Sequence, residues 1–386
     1  MAGATSVIGI VAGEASGDLL GAHLIQALKP HLPLARFVGI GGPRMQAAGL
    51  HALFPMEKLA VRGYVEVLRH YLEIVGIRRR LAAHFLRHPP ACFIGIDAPD
   101  FNLELERRLK AAGIPTVQYV SPQIWAWRSE RLHKIKRAVD KILTVFPFEA
   151  SLYEAAQIPV EYVGHPLADM LGDFPGVRGA REQLRLPASA RIVALLPGSR
   201  VSELQQMADL FVATAAEIAA ADPEVLFLAP LVSIETRNLF EAALHRRGAP
   251  PLNLTMLFGH AHEAMAAADV VLVSSGTATL EAALLRRPMV ITYRMPRVSW
   301  WIMKRRHYQP YVGLPNILAG EFVVPEILQD DATPENLAQA VLNLMSDATA
   351  RGRIDARFTR LLGELRQNTA QKVAQALLPM LNGRMA

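Results

Sequence analysis

Leu195-Leu196-Pro197-Gly198-Ser199-Arg200 and Ser275-Gly276-Thr277-Ala278-Thr279-Leu280-Glu281 share one local pattern. Each follows an apolar run that reads as a buried strand, residues 192–196 in the first case and 270–273 in the second, and each opens into helical periodicity. A small-residue turn between strand and helix exposes backbone N–H groups at the positive end of the helix dipole, where phosphate binds readily. Two such turns in one half of a chain, one with an arginine and one followed by a carboxylate, point to a nucleoside-diphosphate site. Arg200 stands where it can grip phosphates, and Glu281 where it can take ribose hydroxyls.

Further apolar, β-rich runs flank these turns. In the first half they cover residues 7–11, 36–40, 92–96, 116–120 and 141–145; in the second, 191–196, 225–229, 254–257, 270–273 and 289–293. Helical pattern or turn signals fill the intervals. This alternation is the rhythm of doubly wound α/β sheets. It occurs twice, and Ala12-Gly13-Glu14-Ala15-Ser16-Gly17 after the first strand faintly echoes Pro197-Gly198-Ser199-Arg200. A hinge is expected near Gly164-His165-Pro166, dividing a domain of residues 1–166 from one of 167–345. From Thr333 onward only helices are expected, with amphipathic pattern at Leu337, Val341 and Leu344 and again over residues 373–378.

The chain has 386 residues, enough for two cores. At 51% hydrophobic and 20% charged it is not a disordered protein. Its mean hydropathy is positive, yet no apolar run reaches the roughly 18 residues of a membrane span. The polar residues of Gly13–Asp18 interrupt the first apolar run, so no signal peptide is expected. Cys92 is the only cysteine, which excludes an internal disulfide. Lys and Arg number 41 against 35 Asp and Glu, for a net charge of +6. That balance suits an anionic partner: a phosphorylated substrate, an anionic lipid or nucleic acid. The basic residues form no basic-aromatic array, so nucleic acid is not expected. The chain lacks the G-x-G-x-x-G fingerprint, the Walker lysine and the H-E-x-x-H zinc helix. It also lacks Asp-x-Asp, so neither a cofactor nor a metal-bridged diphosphate is expected.

Several strand ends carry two readings. Gly95-Ile96-Asp97-Ala98-Pro99-Asp100-Phe101-Asn102 gathers two carboxylates and an amide where the chain leaves a sheet. Asp100 is explained as a helix N-cap. Asp97 has less structural excuse and can serve as a general base on a hydroxyl; Glu14 is the rival. Ser16, Asp100, Asn102 and Ser121 are candidates for the wall of an acceptor cleft. Trp125 and Trp127, beyond the strand before Ser121-Pro122, are either such a wall or a core aromatic cluster. Over residues 61–75, Val65, Leu68 and Leu72 alternate with Arg69, and Arg78 follows. Apolar residues among arginines suit a helix lying on a membrane surface; a buried helix with a solvated basic end explains the pattern equally. Trp300-Trp301 with Lys304-Arg305-Arg306 poses the same choice. Asn316, in Tyr311-Val312-Gly313-Leu314-Pro315-Asn316, either caps a turn or bonds a phosphate or base.

The ordered set of segments resembles a known family. Gly13-Glu14-Ala15-Ser16-Gly17-Asp18, Gly41-Gly42-Pro43-Arg44-Met45, Gly95 to Asn102, Tyr119-Val120-Ser121-Pro122 and Trp125-Ala126-Trp127 belong to it. So do Gly164-His165-Pro166, Leu196 to Arg200, Ser275-Gly276-Thr277-Ala278 and Leu314-Pro315-Asn316. Together, from about Ile8 to about Gly320, they are similar to the lipid-A-disaccharide synthases, bacterial glycosyltransferases. Val201-Ser202 and His307-Tyr308 are less typical.

The resemblance implies a GT-B fold: two Rossmann-like, doubly wound domains facing across a cleft, with C-terminal helices, residues 346–386, returning to the first. It implies inverting transfer of 2,3-diacylglucosamine from UDP to 2,3-diacylglucosamine 1-phosphate. The products are the β-1,6 disaccharide 1-phosphate and UDP, and no metal or cofactor is required. The family's base maps onto Asp97 and its nucleotide arginine onto Arg200. Gly198, Ser199, Ser275, Gly276, Thr277, Glu281 and Asn316 fall in the nucleotide-side segments. The family works peripherally on the cytoplasmic face of the inner membrane, against an anionic lipid surface; a homodimer is left open. Two other classes compete: a UDP-sugar epimerase or transferase with a non-lipid acceptor, and a non-catalytic nucleotide-sugar binding module.

Overall fold

The structure is a computed structural model that describes residues 6–59, 64–122, 131–248, 251–295 and 310–382, without the side chains of 64–71, 131 and 382. Trp125, Trp127 and the Trp300-Trp301 stretch therefore lie outside the described residues. The chain divides into two compact units: Met1–Pro166 with Leu365–Ala386, and Leu167–Glu364.

A strand covered by helices on both faces must be apolar along its whole length, and such strands pair in parallel. Among the described residues the first unit holds seven: β1 (Val7–Ala12), β2 (Arg36–Ile40), β3 (Leu50–Phe54), β4 (Cys92–Ile96), β5 (Thr116–Tyr119), β6 (Lys141–Thr144) and β7 (Val160–Tyr162). Their order is β3-β2-β1-β4-β5-β6-β7, all parallel. The second unit holds β8 (Ile192–Leu196), β9 (Leu226–Leu231), β10 (Leu254–Phe258), β11 (Val270–Ser274), β12 (Met289–Tyr293) and β13 (Glu326–Leu328). Their order, β10-β9-β8-β11-β12-β13, repeats the plan, again in parallel.

In both sheets the strand order reverses beside the first strand. At such a switch point, neighbouring loops leave the carboxyl ends in opposite directions and open a crevice. Ala12 pairs with Ile96, so the loops after β1 and β4 depart side by side. Val273 pairs with Leu196, which does the same for the loops after β8 and β11.

β3, β7 and β13 are absent from the sequence reading. They are edge or near-edge strands of three to five residues, mostly half-buried, so they lack the continuous apolar run. A second difference concerns the C-terminus. The helix Ala348–Leu365 belongs almost wholly to the second unit; its Arg357 reaches Glu321 at 2.8 Å. The return to the first unit is thus residues 365–386, not 346–386. There the helix Thr369–Asn382 packs on the helix Ala15–Leu28.

The helix Tyr64–Arg87 is a core helix in its second half. Ile77, Leu81 and Phe85 are buried in the first unit's core with Val38, Phe93 and Leu105. Leu72 is 82% exposed.

Asp18, on the helix after β1, is buried, and its carboxylate accepts the N–H groups of Arg44 at 3.1 Å and Met45 at 3.0 Å. It thereby ties the crevice side of β1 to the turn after β2. Asp18→Ala strands both donors and should cost about 1–3 kcal/mol. The expected reading is a lower urea midpoint with an unchanged m-value.

Candidate functional site

The crevice of the first sheet is built around a tight crossing. A Cβ on Gly13 would stand 2.8 Å from Cβ of Ala98, so the loop after β1 reaches the loop after β4 only because residue 13 is glycine. Asp97 (φ 51) and Ala98 (φ 44) both adopt the left-handed conformation, which costs a non-glycine residue about 1–2 kcal/mol. The cost is met by a dense set of bonds. The N–H of Asp97 donates to Tyr119 O at 2.9 Å. Its carbonyl accepts from Asn102 Nδ2 at 2.8 Å and Gln118 Nε2 at 3.1 Å. Pro99 then starts the helix Pro99–Ala111 with Ala98 as its N-cap.

This turn leaves the Asp97 side chain half-buried at the crevice. Burial pushes its carboxyl above the ordinary aspartate range; the N–H of Ala98 opposes the shift, and the nearby Glu14 carboxylate adds to it. A carboxyl raised in this way is a stronger base. Glu14 itself occupies the N-cap position of the helix Ala15–Leu28 and is half-buried.

Other expected cleft residues fall differently. Ser16 and Asp100 are exposed in the first turns of their helices. Asp100 is not the N-cap, which is Ala98, and its carbonyl accepts from Arg78 at 3.1 Å. Asn102 is fully buried, its amide spent on Asp97 O and, at 3.4 Å, Val11 O. It supports the turn from behind and presents nothing to a sugar. Ser121 is buried too, donating to Pro122 O and paired with the Tyr153 hydroxyl at 2.7 Å. A strand-end position alone did not reveal which side chains turn inward.

In the second unit the loop after β8 turns at Gly198, where φ is +136° and a Cβ would lie 2.6 Å from Cβ of Glu203. The helix Val201–Ala221 follows, with Arg200 as N-cap. The N–H groups of Ser199 and Arg200 converge on Glu203 Oε2 at 2.8 and 3.1 Å, and Arg200 Nη1 meets Oε1 at 2.7 Å. The turn thus already binds an anion, supplied by its own helix. Arg200 remains 55% exposed.

Ser274 Oγ donates to Pro197 O at 2.9 Å and draws the loop after β11 against the loop after β8. The N–H of Ser275 is used by Thr292 O at 3.0 Å, whereas Gly276 and Thr277 are exposed where the helix Thr277–Leu284 begins. Glu281 Oε2 lies 3.0 Å from His262 Nε2. That bond raises the His262 pKa; burial opposes it, and the charges of Glu281 and Glu263 add to it. Tyr293, ending β12, is held above the ordinary phenol range chiefly by burial, with the Glu203 charge raising and the Arg200 charge lowering it.

Asn316 does not face this group. It is fully buried, donates to Val324 O at 2.9 Å and Glu326 Oε1 at 2.8 Å, and accepts from the N–H groups of Val323 and Val324. Its amide is consumed in ordering its own loop, with no group left for a phosphate or base.

His84 and His88, one turn apart, have ring centroids 5.3 Å apart. Among the described residues, no three His, Cys, Asp or Glu side chains form a group that could hold a metal. No described helix is long and apolar enough to cross a membrane.

The lipid-A-disaccharide synthetase family model matches residues 8–378. The chain belongs to this family. It is 57% identical over 374 residues to the lipid-A-disaccharide synthase of Methylobacillus flagellatus, covering 97% of this chain and 99% of that protein. Among solved structures it is similar to the UDP-GlcNAc 2-epimerase of Neisseria meningitidis bound to UDP-GlcNAc, with a TM-score of 0.67 at 12% identity, covering 97% of this chain and 100% of that one. The calicheamicin glycosyltransferase follows with a TM-score of 0.59 at 16% identity, covering 98% and 99%. Those likenesses show the α/β architecture of GT-B proteins; the close relatives show that the protein is a glycosyltransferase of lipid A synthesis and disfavour the epimerase reading.

Three residues around these turns have no site signal in the sequence: Gln118 reaches the Asp97 carbonyl from β5, Glu203 reaches back from inside its helix, and His262 meets Glu281 by tertiary contact. For His262, a folded pKa above its unfolded value means stability present at low pH and lost as pH rises through the folded pKa. NMR titration should place its midpoint above 6.5, and Glu281→Gln should bring it down.

Proposed function

We propose that the protein performs an inverting transfer of 2,3-diacylglucosamine from UDP to 2,3-diacylglucosamine 1-phosphate, with Asp97 as general base. The observation that carries the assignment is the Asp97 carboxyl: half-buried, raised in pKa, and at the switch point of its sheet. Asp97 takes the proton of the acceptor 6-hydroxyl while that oxygen attacks the donor anomeric carbon. The bond from that carbon to the β-phosphate oxygen breaks on the opposite face, its electron pair leaving with UDP. The second unit holds the nucleotide: the turn around Gly198, Ser199 and Arg200 takes the diphosphate, Gly276 and Thr277 add donors at a helix start, and Glu281 accepts from the ribose hydroxyls. Negative charge grows on the departing phosphate, and preorganised N–H groups with the Arg200 guanidinium stabilise it.

Asp97→Asn keeps the shape and cannot accept a proton at neutral pH. Single-turnover transfer should drop at least about a hundredfold, with UDP affinity unchanged. Near-normal transfer would move the role to Glu14. Because the Glu14 charge helps to raise the Asp97 pKa, Glu14→Gln should shift the acid limb of the rate profile to lower pH. A UDP-sugar epimerase would convert its donor without acceptor; here UDP release should require both diacylated sugars.

We also infer that the enzyme works on the inner-membrane surface, where both substrates reside. The exposed Leu72 supports this reading, with the basic Arg78, Arg79 and Arg80 on the same helix; Val65, Leu68 and Arg69 precede it in sequence. Leu72→Ser should weaken sedimentation with anionic vesicles and leave the melting temperature within about a degree, since surface changes cost under about 0.5 kcal/mol. A lowered melting temperature with unchanged vesicle binding would make the residue structural.

A further inference from the structure

Beneath the Asp97 turn lies a layer of polar side chains that the transfer chemistry does not itself use. Glu106, on the helix Pro99–Ala111, is completely buried, and neither of its oxygens has a hydrogen-bond partner. Gln118 Oε1 and Asn102 Oδ1 are likewise buried without a partner. The atoms gather under Gly95: a Cβ there would stand 2.3 Å from Glu106 Oε1, 2.8 Å from Gln118 Oε1 and 2.9 Å from Asn102 Cβ.

Neither amide is free to turn over. Gln118 Nε2 donates to the carbonyls of Asp97 at 3.1 Å and Val120 at 3.2 Å. Asn102 Nδ2 donates to Asp97 O and Val11 O. A flip would set an amide oxygen against two carbonyl oxygens, so both amides must leave their oxygens on the other side. Glu106, Gln118 and Asn102 therefore leave four buried acceptor oxygens without a donor from the protein, those of Glu106 and Gln118 in the space under Gly95. An ionised carboxylate in that space would be a buried charge without compensation, costing several kcal/mol. A proton on Glu106 removes the charge and supplies the missing donor. Burial alone pushes this carboxyl well above the usual glutamate range.

We propose that Glu106 is a positioning residue for the transfer, its carboxylic acid donating to Gln118 Oε1 and so locking the amide layer that holds the Asp97–Ala98 turn. The chain of action runs from Glu106 to Gln118, from Gln118 Nε2 to the carbonyl of Asp97, and from that strained turn to the direction of the Asp97 carboxyl. The inference rests on Asp97 being the base. An apolar residue of the same volume would fill the space at lower cost; what it could not do is fix the rotamer of Gln118.

Four variants of the whole chain test this. Glu106→Gln supplies an N–H donor in the same shape and should keep kcat within about threefold of wild type. Glu106→Leu fills the volume without a donor and should lower kcat about tenfold to a hundredfold, since small misplacements of a reacting group cost that much. UDP affinity, a property of the other unit, should not change. Gln118→Leu should lower kcat similarly, and the double variant should be no worse than either single one. If Glu106→Leu does not fold, Gln118→Leu alone carries the kinetic arm. Infrared spectra at neutral pH should show a protonated carboxyl C=O band that Glu106→Gln removes. Wild-type kcat in a folded Leu variant, a Gln variant as slow as the Leu variant, or no such band overturns the proposal. The infrared band does not depend on which residue is the base, so failure of the Asp97 assignment is separable from failure of this one.

Discussion

A parallel sheet whose order reverses beside its first strand places two loops next to each other that must then run apart. The rest of both sites depends on that constraint. In the first sheet it sets the loop after β1 against the loop after β4, close enough that Gly13 cannot carry a side chain facing Ala98. In the second it sets the loop after β8 against the loop after β11, with Ser274 bonded to Pro197 O across the gap. The same topology yields different chemistry because the loops differ. One crevice brings two carboxylates together and raises a pKa. The other aims N–H groups and a guanidinium at one carboxylate, that of Glu203.

The Asp97 turn shows how backbone strain is retained. Two successive non-glycine residues in the left-handed region are unfavourable on their own. They persist because the carbonyl of Asp97 accepts two buried side-chain amides and its N–H is bound to the next strand. Glycine at either position would relieve the strain and also free the loop. The energy lies in the fixed direction of one carboxyl, which a rigid strand end and a proline-started helix then preserve.

The central strands were legible because they are buried on both faces, and only a continuous apolar run survives there. Cys92–Ile96 and Met289–Tyr293 match the expected spans. The edges β3, β7 and β13 were not, since one open side permits mixed residues and a short span. At the sites, the sequence located strand ends but not side-chain directions. Asp97 and Glu281 stay half-buried and Arg200 more than half exposed, whereas Asn102, Ser121 and Asn316 from equally polar stretches turn inward. The difference is set by partners outside each strand-end stretch: Val11 and Tyr153, distant in sequence, in the first unit, and Glu326, 10 residues on from Asn316, in the second. Glu203 was hidden for another reason. A glutamate three residues into a helix reads as a capping box, and only the structure shows its carboxylate collecting two N–H groups and a guanidinium at once.

That arrangement bears on how the proposed nucleotide would be held. The N–H groups of Ser199 and Arg200 both point at one position, and Glu203 Oε2 now sits in it. A phosphate oxygen and a carboxylate oxygen cannot share those donors without like-charge repulsion. On the proposed reading, diphosphate binding at this turn would be an exchange of anions, and its net gain would be the difference between two charge-assisted sets of bonds. Such an exchange keeps the loop ordered before the ligand arrives, because the donors are never left unpaired. It also lets Arg200, more than half exposed, turn from an intramolecular partner to a ligand without moving the backbone that carries it. A turn held ready in this way gives up some affinity for a preformed shape, which would suit the proposed site, whose nucleotide must leave as product at the end of each cycle.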